Sequence, residues 1–221
     1  MITLAIDAST YRGSVAVLDD ARVLAVEHVA MRGAEHEHLM PAVVAALEHA
    51  GRAARDIDRV VCGRGPGSFT SLRIAGSIAK GIAVGVGRPL FAVSSLALLV
   101  AAAPAHGGRH LAALDALRGE FYVGLYEVGP DLQLCELESP RLISCDRVDA
   151  FAAELGATVV SPTRQLGWIE SQPDAAAIDR CAALIAESGP VDVRTWEPLY
   201  GRLAEAQVRW ESAHGRPLSA G

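Results

Sequence analysis

Gly63-Arg64-Gly65-Pro66-Gly67-Ser68-Phe69-Thr70-Ser71-Leu72-Arg73-Ile74-Ala75-Gly76 follows the apolar run Val60-Val61-Cys62 and opens a long segment of small residues. Three glycines and a proline within Gly63–Gly67 cannot continue a strand. They make a tight loop whose backbone can take positive φ and approach a second surface closely. Ser68 and Thr70 then place side-chain oxygens where a helix is about to begin. Strand, glycine loop and helix in that order indicate an α/β fold. Two roles for the loop stay open, holding a phosphate or holding a protein.

Neither familiar nucleotide pattern fits. No Gly-Lys-Ser/Thr closes the loop, and Lys80 comes a dozen residues after it. Gly63, Gly65 and Gly67 alternate, which misplaces the third glycine of GxGxxG. Backbone donors at a helix N-terminus can still hold an anion. Arg73, one turn in, can do the same or pair with an acid, within the chain or across an interface. The helix predicted from about Ser68 to Val86 carries Gly76, Gly81 and Gly85 among alanines. Each glycine costs a helix roughly 1 kcal/mol against alanine. Their presence implies close approach to a sheet, a neighbouring helix or another chain.

Outward from this loop the chain alternates strands and helices. Residues 2–7 read as a strand buried on both faces, ending in Asp7 and followed by Ser9 and Thr10. Residues 14–18 and 23–29 follow as a meander around the turn Asp19-Asp20. A helix spans 33–51, with Leu39, Val43, Val44 and Leu47 at helical spacing, Pro41 in its first turn and Gly51 just past its end. His36-Glu37-His38 at its entrance reads as exposed polar residues, not a metal site, because no third ligand is in sight. Residues 90–93 form a strand, Ser94-Ser95 a helix cap and Leu96–Ala103 a buried helix.

Pro104–Arg109 marks the boundary between units 1–104 and 105–221. Leu111-Ala112-Ala113-Leu114-Asp115 then repeats the opening pattern, an apolar strand ending in an acid. Residues 121–126 and a broken strand over 132–142 follow it. Strand–Asp–turn–strand thus occurs twice, about 108 residues apart. Beyond it come a helix over 146–155, a strand over 158–161, a helix over 174–187, an extended segment 197–202 and a terminal helix near 204–211. Asp7 and Asp115 are candidate acids at facing strand ends. Two such carboxylates suit Mg²⁺ and phosphate, while a strand-end aspartate that caps its own turn is equally common.

The chain has 221 residues and a net charge of −6, which argues against autonomous nucleic-acid binding. Met1–Asp7 has no basic stretch before an acid, so no signal peptide is expected. The longest apolar run, 96–105, is half a membrane span and contains Pro104. Cys62, Cys135, Cys145 and Cys181 have no CxxC spacing and read as buried thiols of a reducing compartment. The expectation is a cytoplasmic chain with no membrane partner. No Ser/His/Asp order stands out.

Gly65-Pro66-Gly67-Ser68-Phe69-Thr70-Ser71-Leu72-Arg73-Ile74 closely resembles the hallmark of the bacterial TsaB (YeaZ) family, accessory subunits in tRNA threonylcarbamoyladenosine (t6A) synthesis. Leu4–Thr10, His38-Leu39-Met40-Pro41, Asp115–Tyr122 and Glu197-Pro198-Leu199-Tyr200-Gly201-Arg202 resemble further family segments. The resemblance is dense over 1–126 and thin over 130–195. It implies an actin-like (ASKHA) fold of two RNase H-like halves, the second shortened. It implies a non-catalytic partner of TsaD, which modifies A37 of tRNA, together with the ATPase TsaE. The chain would need no cofactor of its own, with ATP and Mg²⁺ used by the assembly and tRNA met only through it. It would form a homodimer when TsaD is absent.

The resemblance places the partner interface on the first two helices, here about 34–51 and 68–86. Its candidate residues are His38, Met40, Val43, Leu47 and Phe69, then Leu72, Arg73, Gly76, Ala79 and Lys80. A vestigial phosphate site would hold Asp7, Ser9, Thr10 and Asp115. Ser71 and Ala75 stand where the family has glycine, and Leu117 where it has arginine, which weakens a phosphate role for Asp115. Neither paired metal-binding histidines nor a Gly-Gly adenosine loop is present. The alternative is an ATP-binding enzyme built on Asp7, Thr10 and Asp115, or a protease acting on TsaD.

Overall fold

Alternation along each strand decides which layer a side chain joins. In β1 (Ile2–Asp7), Ile2, Leu4 and Ile6 enter one core while Ala5 enters another. Both faces of this strand are therefore covered, as its unbroken apolar run predicts. The structure is a computed structural model and describes residues 1–32, 37–104 and 107–201.

β1, β2 (Arg12–Asp19) and β3 (Arg22–Ala30) form an antiparallel meander. Asp20 sits at positive φ in its tight turn, as the Asp19-Asp20 signal predicts. β4 (Arg59–Gly63) then pairs parallel with β1, and β5 (Leu90–Val93) with β4. The second sheet repeats the plan. β6 (Gly108–Asp115), β7 (Glu120–Val128) and β8 (Leu134–Ser144) form a meander, β9 (Thr158–Ser161) pairs parallel with β6, and β10 (Ile169–Glu170) with β9. The orders β3-β2-β1-β4-β5 and β8-β7-β6-β9-β10 are the same. The internal repeat is thus one of topology, and two RNase H-like sheets make the actin-like architecture that the resemblance implies.

The helices fill the layers between and outside the sheets. α1 (Leu39–His49) and α2 (Phe69–Val86) cover the outer face of the first sheet. Pro41 lies in the first turn of α1 and Gly51 follows its end at φ 63°, both as predicted. Residues 33–36, including His36, lie outside the described residues. α3 (Ser95–Ala102) is apolar all round and buried on every side between the two sheets. α4 (Val148–Glu154) covers the outer face of the second sheet. Among the described residues, α2 is the one helix with the length and apolarity of a membrane span. Its Ala75–Ala79–Ala83 stripe lies instead in the core against the sheet.

Three features differ from the sequence reading. The predicted helix over 174–187 is a 3-10 segment, Ala175–Cys181, followed by α5 (Ala182–Ser188). β10 and β11 (Pro190–Val191) are only two residues each, too short for a periodic signal. β11 joins the edge of the first sheet, so the chain crosses back over the 104/105 division. Cys62 and Cys181 are buried thiols as expected, but Cys135 and Cys145 are exposed, on the open face of β8 and just after it. The proposed terminal helix near 204–211 and residue Arg202 lie outside the described residues.

The hairpin between β6 and β7 is locally strained. Leu117, Arg118 and Gly119 stand consecutively at φ 61°, 58° and 75°. A left-handed backbone costs an ordinary L-residue roughly 1–2 kcal/mol, and Leu117 recovers little by burial because it is 59% exposed. Leu117→Gly is expected to raise the urea midpoint slightly at unchanged m-value, the relief of strain outweighing the freedom glycine gains when unfolded. A lower midpoint would mean that the leucine side chain itself holds the turn.

Candidate functional site

The glycine loop, the end of β1 and the start of α3 meet at one buried carboxylate. Asp7 is fully buried and accepts hydrogen bonds from the Ser9 N–H (3.0 Å), the Ser9 hydroxyl (2.8 Å) and the Ser95 hydroxyl (2.5 Å). Ser95 Oγ in turn accepts the Gly65 N–H at 3.0 Å, and the Ser95 N–H donates to Gly65 O at 2.9 Å. Two of the three alternating glycines are explained here. A Cβ on Gly63 would lie 1.9 Å from Asp7 Oδ2, and one on Gly67 would lie 2.1 Å from Ser9 O. Burial raises the Asp7 pKa above its ordinary value, more than the Ser95 and Ser9 hydrogen bonds lower it. Burial pushes the neighbouring Cys62 thiol up as well.

This arrangement bears on the phosphate residues. Ser9 spends its N–H and hydroxyl on Asp7, and its carbonyl accepts the Ser68 N–H at 2.7 Å. The Thr10 hydroxyl is bonded to the Arg12 backbone. Asp115 is exposed and accepts the Leu117 N–H at 2.7 Å, capping its own turn. The two strand-end acids are therefore not equivalent. Asp115 lines the cleft between the halves, with Ser9 and Thr10, whereas Asp7 is sealed behind the glycines. Of the two roles the sequence left open for these acids, Asp115 has the turn-capping one. Among the described residues, no group of three His, Cys, Asp or Glu side chains could hold a metal.

The cleft has a volume of about 790 Å³. Aromatic rings of Tyr11, Phe69, Tyr122 and Tyr200 line it, with Arg118 projecting from the strained hairpin.

The second candidate surface is the outer face of α1 and α2. Of the ten predicted interface residues, Val43, Leu72 and Ala79 are at most 1% exposed. Val43 and Ala79 pack in the core between the helices and the sheet, and Leu72 lies against the glycine loop at Gly65. Ser71 and Ala75 are buried too, so these departures from the family pattern lie beneath the surface. His38 and Met40 are exposed and Leu47 is half-buried. Val44 and Val84 are large apolar residues left exposed, at 45% and 65%.

The remaining four predicted residues meet the chain's own C-terminal segment. A Cβ on Gly76 would touch Pro198 at 3.2 Å and Trp196 at 3.4 Å. Phe69 packs on Tyr200 with ring centroids 4.5 Å apart. The Arg73 guanidinium lies 4.9 Å from the Phe69 ring and its Nε donates to Tyr200 Oη at 3.4 Å. Within the chain Arg73 thus meets rings; the sequence had left open an anion, or an acid within the chain or across an interface. Lys80 pairs with Glu197 at 3.8 Å. The Leu199 N–H donates to Arg64 O at 2.6 Å, so residues 196–201 strap the glycine loop to the first half of α2. Sequence reasoning singled out 197–202 as a signature but did not place it here. The alternation of Trp196, Pro198 and Tyr200 was its only available signal. By contrast, a Cβ on Gly81 or Gly85 would meet nothing within 4 Å.

Comparison with known proteins adds the following. The sequence-family model of TsaD, tRNA N6-adenosine threonylcarbamoyltransferase, matches residues 31–173. The tRNA threonylcarbamoyladenosine biosynthesis protein TsaB of Bacillus subtilis is 30% identical, over 95% of this chain and 98% of its own length. TsaB of Escherichia coli is 40% identical over 58% of this chain and 55% of its own. A solved Pseudomonas aeruginosa protein, described as similar to the peptidase YEAZ, superposes with a TM-score of 0.77 at 30% identity. It covers 91% of this chain and 99% of its own.

The sealed carboxyl makes a pH prediction. A raised folded-state pKa means that its favourable contribution is full below the unfolded value near 3.8 and is lost as pH rises through the folded value. Asn at this position stays neutral and can keep the same partners, its amide donating to Ser95. The stability difference between Asp7→Asn and the parent chain is therefore expected to move in favour of the variant as the pH is raised from about 4 towards neutral. Urea midpoints measured across that window test this, and a pH-independent difference would refute it.

Proposed function

The chain belongs to the TsaB (YeaZ) family of tRNA threonylcarbamoyladenosine biosynthesis proteins, and we propose that it acts as the non-catalytic partner of TsaD. In this reading it docks through the outer face of α1 and α2, and the TsaE ATPase completes the assembly. ATP and Mg²⁺ are used by the assembly, this chain needs neither alone, and tRNA is met only through its partners. The same face closes a homodimer when TsaD is absent, and the chain works in the cytoplasm.

The observation that carries the reading is the pair Gly81 and Gly85. Gly76 is explained inside the chain by Pro198 and Trp196. Gly81 and Gly85 have open space where a Cβ would stand, yet each lowers helix stability by roughly 1 kcal/mol. On the same face of α2 lies the exposed side chain of Val84, and α1 leaves Val44 and Met40 exposed as well. Bare backbone flanked by exposed apolar side chains suits a second helix packing closely against α2.

The non-enzymatic part of the reading is supported by the fate of Asp7. It is shut away from the cleft, and the hydroxyl beside it, Ser95, is itself buried and bonded directly to Asp7. An acid and a hydroxyl held in this way serve the fold. The peptidase wording attached to the Pseudomonas aeruginosa relative finds no such support in this constellation.

Gly81→Leu separates docking from folding. The isolated chain is expected to keep or gain thermal stability, because glycine leaves a helix interior. Its co-elution with TsaD on size exclusion should be lost, and any homodimer with it. Gly76→Leu is the contrasting variant, expected to loosen the strap and lower stability before any partner is added. Full retention of the complex by Gly81→Leu would rule out this face.

A further inference from the structure

The face of α2 open to a partner carries charge of one sign. The chain has 26 acidic residues against 20 basic ones, yet Phe69–Val86 holds no aspartate or glutamate, and its charged side chains are Arg73 and Lys80. Arg73, Ser77, Gly81 and Val84 recur at spacings of four, four and three, so they share one side of the helix. All four are exposed.

Where this side of α2 meets the strap there is a notch of about 300 Å³. Arg73, Ser77 and Lys80 form one wall, and Glu197, Pro198 and Tyr200 the other. Glu197 lies 3.8 Å from Lys80 Nζ through one oxygen, and its other oxygen accepts the Tyr200 hydroxyl at 2.9 Å. The Arg73 guanidinium lies over two rings, 4.9 Å from the Phe69 centroid and 5.8 Å from that of Tyr200. A guanidinium stacked in this way is fixed in orientation, and its edge donors match a carboxylate in a two-pronged pair. Two cations against one acid leave the notch positive. Ser77 is four residues, about 6 Å of helix, from Gly81. A helix packed along Gly81 and Gly85 therefore takes these cations partly out of water, which is costly unless it brings an opposite charge.

We propose that the partner's helix presents an aspartate or glutamate to this notch, its carboxylate meeting Arg73 and Lys80 while the strap stays in place. The inference rests on the docking reading above and adds the partner's chemistry to it. The matching surface is an apolar, close-packing helix face with a carboxylate about one turn from its closest approach to α2.

Ser77→Asp and Ser77→Asn test it at an exposed position. The first fills the notch with the chain's own carboxylate, and the second is a neutral control of the same size. Surface plasmon resonance with TsaD compares them at about 0.05 M and about 0.5 M salt. At low salt Ser77→Asp is expected to bind about tenfold more weakly than Ser77→Asn, with slower association, and the gap should narrow at high salt. Equal binding by the two variants, tighter binding by Ser77→Asp, or a gap that ignores salt overturns the inference. Gly81→Leu keeps the two readings apart. If it abolishes the complex while the Ser77 variants bind alike, the docking face stands and the carboxylate does not. If it leaves the complex intact, the face itself is wrong and both fall.

Discussion

The packing of the Gly63–Gly67 loop against the Asp7 carboxylate is the constraint on which the other features depend. Asp7 ends β1, Gly63 ends β4 and Ser95 begins α3, so one carboxylate ties two parallel strands to the central helix. No side chain larger than hydrogen fits at Gly63 or Gly67 without displacing it or Ser9. A buried carboxyl carries a desolvation cost, which its three hydrogen bonds offset only in part. Because the acid is sealed, the loop cannot also cradle a phosphate through it. The same glycines that suggested an anion site in the sequence are what close it.

Much of the fold was legible because it rests on periodicity. The repeated strand–Asp–turn–strand at Asp7 and Asp115 reported a duplicated sheet, and both sheets have the same strand order. The unbroken apolar run of α3 marked it as buried on all sides, and it fills the space between the sheets. What periodicity could not carry was the difference between the two acids. Asp7 is buried because Gly63 and Ser95 arrive from 56 and 88 residues away, whereas Asp115 meets only its own turn. Local sequence around the two is similar, and long-range contacts make them unlike.

Which of the candidate interface residues stand exposed was not legible in the sequence, for the same reason. Helical spacing identifies a face, but not which face meets the sheet. Val43 and Ala79 turned out to be on the sheet side, and Leu72 buried against the glycine loop. The strap formed by Trp196–Gly201 was invisible because its contacts span more than a hundred residues, with Arg73 and Tyr200 separated by 127. It rests on no period, only on the fit of Pro198 and Trp196 into the gap at Gly76.

The strap divides α2 into two regimes. Over its first half, Phe69, Arg73, Gly76 and Lys80 are occupied by the chain's own aromatic and acidic residues. Over its second half, Gly81, Val84 and Gly85 are bare. A helix glycine with an intramolecular neighbour is explained by the monomer, and one without a neighbour is not. The division therefore gives the first half of α2 to holding this chain together and leaves the second half, with Gly81, Val84 and Gly85 exposed, open for the association proposed above. It also keeps the two functions mechanically apart. A partner packing on Gly81 and Gly85 need not disturb Tyr200, and so need not disturb the aromatic wall that Tyr200 and Phe69 lend to the cleft.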